Sequence, residues 1–157
     1  MFGLGKKRII ISTPVEGDSI PISSVNDPAF SNDILGCGIA IKPSSNRIVA
    51  PARGTINVIF KTGHAVGLTT DNGIEILIHV GLDTVKLKGQ YFTIRCKNGE
   101  RVKKGDVLIE FDREAIDACG YDTVTPVVIC NPQDFSEITF IDPAFVQEGS
   151  DLIYIKK

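Results

Sequence analysis

Short β-branched runs divided by glycine and proline, with no window that sustains a helical period, restrict this chain to a fold of strands and turns. The 157 residues include 15 Gly and 8 Pro. Between them lie Ile9–Ile11, Gly38–Ile41, Thr55–Phe60, Ile74–Val80, Val107–Phe111, Val127–Ile129 and Leu152–Ile155, each of strand length. Helix is confined to two places. Asp112 can cap a turn or two through Arg113–Ala118 that Gly120 ends, and Asp27-Pro28 can open a turn carrying Phe30. A faint repeat accompanies this pattern. Thr13-Pro14-Val15-Glu16-Gly17 and Ala50-Pro51-Ala52-Arg53-Gly54 are both Pro-x-x-Gly turns that lead into a strand. Asn98–Leu108 adds a turn, a short strand and a Gly-Asp turn into another strand. The expected fold is all-β, a single antiparallel sandwich or barrel of two related halves with only short helical turns.

Charge and cysteine content exclude several classes. With a net charge of -2 and no basic block, the chain has no electrostatic reason to bind nucleic acid. The start, Met1–Arg8, is mildly basic, but the apolar run after it stops at Ser12. That run is too short for a signal core or a membrane span, and Phe2 rules out a myristoyl acceptor, so the cytoplasm is the expected location. Cys37, Cys96, Cys119 and Cys130 form no Cys-x-x-Cys pair. They read as reduced thiols without zinc-ligand spacing.

Only two histidines are present. In Gly73–Gly81, alternation places Ile74, Ile76, Ile78 and Val80 on one face and Glu75, Leu77 and His79 on the other. The aliphatic face must be core, so His79 faces outward beside Leu77. In the preceding stretch Thr62, His64, Val66 and Leu68 share a face. A regular hairpin turning near residues 71 to 72 sets His64 directly opposite His79, with Cβ atoms about 5 Å apart. Two such imidazoles could ligate a metal, but zinc needs three or four ligands. His79-x-x-x-Asp83 without a His-x-His element is a poor zinc-peptidase pattern. They could also be a surface pair without function. A neutral imidazole is a competent nucleophile near pH 7, and a second one can donate N–H to phosphoryl oxygens. Phe60, Val66, Leu77 and Val85 ring the pair with apolar side chains, as docking against a flat protein partner requires.

The motifs Gly36–Pro43, Val49–Ile56, Thr62-Gly63-His64-Ala65, Gly73–Val85, Val102–Asp106 and Thr125–Val128 resemble, in order and over nearly the whole chain, those of one family. It is the glucose-type enzyme IIA proteins of the bacterial phosphoenolpyruvate-dependent sugar phosphotransferase system. The resemblance implies a short lead and first strand over residues 1–11 and one enzyme IIA-type domain over residues 12–157. It implies that His79 takes a phosphoryl group on Nε2 from the phosphocarrier HPr and passes it to a cysteine of an enzyme IIB domain. His64 is then the assisting histidine, and Thr62 supports it. Phe30, Ile34, Leu35, Phe60, Leu77 and Val85 fall in the apolar docking rim, and Asp83 at an acidic position that a partner's basic residue meets. The transfer needs no cofactor, and the chain alone is expected to hold no metal, although some members of the family bind zinc when a regulatory partner completes the site. The protein is expected to be a monomer that reaches the membrane only through enzyme IIC.

Two positions depart from the family pattern: Cys37 stands where relatives usually carry Asp, and Val66 where they usually carry Phe. The first bears on the loop near the docking face, the second on the aromatic rim. Two other readings compete. A biotinyl or lipoyl carrier would display a lysine at a hairpin tip in a Met-Lys-Met or Asp-Lys-Ala context, which this chain lacks. A regulatory binding protein could keep the fold without the chemistry, but it would not need both histidines.

Overall fold

The computed structural model describes residues 8–157; the readings placed on Met1–Lys7 lie outside the described residues. The strands are β1 (Arg8–Ser12), β2 (Gly17–Pro21), β3 (Cys37–Pro43), β4 (Arg47–Val49), β5 (Gly54–Ile59), β6 (Ala65–Thr70) and β7 (Glu75–His79). They continue as β8 (Phe92–Ile94), β9 (Arg101–Val102), β10 (Val107–Phe111), β11 (Thr125–Ile129), β12 (Glu137–Phe140), β13 (Phe145–Val146) and β14 (Asp151–Lys156). Among the described residues, helix is limited to α1 (Pro28–Ser31), α2 (Arg113–Ala118) and three 3₁₀ turns. Asp27 caps α1 by accepting from the Ala29 amide at 3.0 Å, and Asp112 caps α2 by accepting from Ala115 at 3.0 Å. Both short helices therefore start where the sequence predicts.

All pairings are antiparallel. An eight-stranded sheet, β13-β2-β3-β11-β7-β6-β5-β9, faces two three-stranded sheets, β1-β14-β12 and β4-β10-β8. The main core fills the space between them, with Ile41, Ile56, Leu68, Ile76 and Ile78 from one side and Ile11, Ile48, Ile109, Ile153 and Ile155 from the other. The fold is a β-sandwich, as expected.

The faint repeat is visible as a pseudo-twofold arrangement. Gly17 opens β2, which pairs β13 and β3; Gly54 opens β5, which pairs β9 and β6. The hydrogen bonds match. Ser12 N–H donates to Pro51 O at 3.0 Å while Val49 N–H donates to Pro14 O at 2.9 Å. Gly149 N–H donates to Thr13 O and Gly105 N–H to Ala50 O, each at 2.9 Å. Each Pro-x-x-Gly turn thus lies against the other. Both glycines also stand where a Cβ would meet a neighbouring carbonyl oxygen, Lys42 O for Gly17 and Thr69 O for Gly54.

The β6–β7 hairpin differs from the regular turn predicted. Ala65, not His64, is opposite His79, and Thr69 is opposite Glu75. The cause is Gly73, whose φ of +82° closes a three-residue loop, Asp71 to Gly73, in place of a two-residue one. The turn is held by Gly73 N–H donating to Thr70 O at 2.9 Å and by the Asn131 amide donating to Gly73 O at 2.9 Å. A shift of one residue exchanges the faces of a strand. Val66 and Leu68 therefore point into the main core with Ile76 and Ile78, while Ala65 and Gly67 lie on the outer face with Leu77 and His79. Val66, expected in the docking rim, is 0% exposed and belongs to the core.

The outer face of the large sheet is not bare at its centre. A second, smaller core of Val25, Phe30, Ala40, Leu82, Val124 and Val128, with Ile20, Ile22 and Leu77 beside it, packs there. It seats α1 and the loop after β7. A four-residue helix has no stability of its own. Burial of Phe30, worth about 1.5–3 kcal/mol, holds α1 in place.

Candidate functional site

Both histidines come together despite the changed register. Their ring centroids are 5.0 Å apart, inclined at 78°. His79 reaches the site as the last residue of β7. His64 stands just outside β6, after the turn Lys61–Gly63, so strand alternation no longer governs its side chain. Its carbonyl accepts from the Val80 amide at 2.7 Å, which ties the two histidine segments together.

Hydrogen bonds differentiate the nitrogens of each ring. His79 Nδ1 lies 2.7 Å from the Gly81 carbonyl oxygen. A carbonyl only accepts, so neutral His79 carries its proton on Nδ1 and leaves Nε2 with the free lone pair. His64 Nδ1 bonds the Thr62 hydroxyl. With the hydroxyl donating, the His64 proton sits on Nε2, where it is available to an incoming oxyanion.

Burial keeps both rings neutral. His64 is only 4% exposed, and burial, reinforced by the neighbouring His79, brings its pKa down to about 4. Burial also holds His79 below the ordinary imidazole value, partly offset by the Gly81 carbonyl and by Asp27 and Asp83. At pH 7 the site therefore presents two uncharged imidazoles side by side. A stability prediction follows. His64 has its ordinary 6.5 when unfolded, so between pH 6.5 and about 4 the unfolded chain binds more protons than the folded one. Stability then falls as pH falls through that window. Urea midpoints should decrease from pH 7 to pH 5, and His64→Gln should flatten that slope; an unchanged slope in the variant contradicts the assignment.

The apolar surround sorts into walls and rim. Phe30, 4% exposed, presents its ring edge-on to His79 with centroids 5.2 Å apart, so it is a wall and not the rim residue expected. Phe60 stacks edge-on against His64 at 5.2 Å and remains exposed. Ile34, 68% exposed, Leu35 and Val85 are large apolar side chains facing solvent. Leu77 is half-buried in the smaller core. Asp83 is exposed, with a left-handed backbone at φ +60°. Cys37 turns its side chain against the main core, so this departure from the family pattern acts on the inner face. Burial, reinforced by Asp33, pushes its thiol pKa up.

Among the described residues no group of three or more His, Cys, Asp or Glu side chains is arranged to hold a metal ion. No helix there is long and apolar enough to cross a membrane. The Gly81 carbonyl was not singled out in the sequence, because a backbone acceptor carries no residue-type signature. Its only trace is a glycine two positions after His79.

Residues 9–135 match the family model described as phosphoenolpyruvate-dependent sugar phosphotransferase system, EIIA 1. The chain is 48% identical over 132 residues to the glucose-specific EIIA component of Buchnera aphidicola subsp. Acyrthosiphon pisum, covering 84% of this chain and 82% of that protein. It is 50% identical over 129 residues to the beta-glucoside-specific EIIBCA component of Bacillus subtilis. That match covers 82% of this chain but 21% of the longer protein. The solved glucose permease IIA from Mycoplasma capricolum superimposes with a TM-score of 0.89 at 29% identity, covering 98% of this chain and 99% of that one. The chain belongs to the EIIA family of the phosphoenolpyruvate-dependent sugar phosphotransferase system.

Proposed function

We propose that His79 is the phosphoryl-accepting residue, attacking through Nε2, with phospho-HPr as donor and a cysteine of an enzyme IIB domain as acceptor. The observation that carries this reading is the Gly81 carbonyl on His79 Nδ1 at 2.7 Å, because it leaves Nε2 as the only nitrogen with a lone pair to attack. In the transfer the Nε2 lone pair forms a bond to phosphorus as the donor's P–N bond breaks, and the Nδ1 proton stays in place. His64, 5.0 Å away between ring centroids, donates Nε2–H to the phosphoryl oxygens while the Thr62 hydroxyl donates to its Nδ1. Exposed Ile34, Leu35, Phe60 and Val85 dock the partner and exclude water around the moving group, and Asp83 meets a basic residue on it. The folded unit acts as a single domain and a monomer in the cytoplasm, and is coupled to the membrane through enzyme IIC. The mechanism calls for no cofactor.

The test uses the protein with phosphoenolpyruvate, enzyme I and HPr. An acid-labile, base-stable phosphate should form, and phosphorus and nitrogen NMR should place it on Nε2 of His79. Label on Nδ1, or on another residue, would overturn the reading.

A further inference from the structure

We propose that Thr84 is a positioning residue of this site: its buried hydroxyl fixes the backbone on which the tautomer and orientation of His79 depend. The inference rests on the reading of His79 as nucleophile. It begins with two consecutive peptide units after β7. In the Val80–Gly81 unit the carbonyl accepts the Thr84 hydroxyl at 2.5 Å, and the N–H donates to Val124 O at 3.0 Å. In the Gly81–Leu82 unit the carbonyl accepts His79 Nδ1–H at 2.7 Å, and the N–H donates to Asp122 O at 2.9 Å. Both units are thus held at both polar ends.

Such a clamp is needed because of Gly81. Its φ is +80°, and a glycine that links two peptide planes can rotate them with little steric resistance. If the first plane turns, it displaces the Gly81 Cα from which the second plane hangs, and the acceptor of the His79 proton moves away from the ring. The bonds to Val124 and Asp122 join backbone to backbone, so no side-chain change removes them. Apart from His79 itself, the Thr84 hydroxyl is the one side-chain group among the four bonds. Thr84 is fully buried, so water cannot replace that hydroxyl. Its methyl also occupies the space beside Gly81: a Cβ built on Gly81 would lie 2.6 Å from Thr84 Cγ2. The effect extends to the second histidine, since Val80 N–H is the donor to His64 O at 2.7 Å. One hydroxyl therefore steadies the segment that bonds both rings.

Two substitutions separate the hydroxyl from the packing. Thr84→Val keeps the shape and removes the donor; Thr84→Ser keeps the donor and removes the methyl. In protein carrying nitrogen-15 histidine, unaltered His79 should show a protonated Nδ1 and a bare Nε2. Thr84→Val should show an averaged pair of tautomers and accept phosphate about tenfold more slowly, a part of the roughly hundredfold loss that a full ångström of misplacement can cause. Thr84→Ser should restore both the spectrum and the rate. A folded Thr84→Val with the unaltered tautomer and rate overturns the proposal. So does a Thr84→Ser that fails like the valine variant, since packing alone would then be responsible. Should the valine variant not fold, the hydroxyl proton of Thr84 in the unaltered protein decides: slow exchange with water supports the bond, rapid exchange overturns it. The tautomer measurement needs no phosphoryl transfer. It therefore stands even if His79 proves not to carry the phosphate, an outcome that would overturn the functional reading alone.

Discussion

His79→Ala should take up no phosphate from phosphoenolpyruvate, enzyme I and HPr, while the unaltered chain labels fully. The expected loss is complete because a covalent carrier without its nucleophile has no slower version of the same step. His64 cannot take over where it stands. It is nine-tenths buried and more, and its Nδ1 is engaged by the Thr62 hydroxyl. Unfolding would not explain the result. His79 is only half-buried, and the edge-on contact with Phe30 that the variant gives up is worth about 0.5–1.5 kcal/mol beyond area. Circular dichroism and the thermal midpoint should confirm a folded protein. Full labelling of this variant would sink the assignment of the site.

His64→Gln should separate the two halves of the reaction. Glutamine keeps an N–H donor of similar reach, so acceptance from phospho-HPr should fall by no more than about tenfold. It cannot gain a proton as imidazole does. Once His79 carries a dianionic phosphoryl group, the neighbouring imidazole is drawn toward its charged form, and that charge stabilises the group as it leaves. Loss of it should slow transfer to enzyme IIB about a hundredfold or more, the scale of one acid–base group. Rapid-quench assays of the two half-reactions with the same labelled protein measure both. Transfer to enzyme IIB at the unaltered rate would refute the assisting role, and equal losses in both halves would make His64 a binding group only.

Much of the fold could be read directly because its signals are local. Val107–Phe111 is a strand with the bounds predicted, and Asp27 and Asp112 cap the helices they were expected to cap. The Pro-x-x-Gly repeat, weak as a motif, corresponds to two turns that lie against each other with matched hydrogen bonds. The outward face of β7 was also legible, because its other face is unbroken aliphatic. What failed was the register. One residue in the β6–β7 turn moved Val66 from the expected rim into the core and placed Ala65 opposite His79. Phe30 was misplaced for a different reason. Its burial depends on α1 folding over the sheet, a contact between segments that lie far apart along the chain.

The sequence by itself determined that this is a strand-and-turn protein with a histidine on the outer face of a strand whose other face is aliphatic. It could do so because strand alternation and capping involve only near neighbours along the chain. The tertiary structure decided which nitrogen of His79 is free, how His64 reaches it from outside its strand, and which apolar residues are walls and which are rim. Those outcomes depend on a backbone carbonyl, a three-residue turn and the packing of a four-residue helix. Each joins atoms whose meeting is fixed only when the two halves of the sandwich close around a common core.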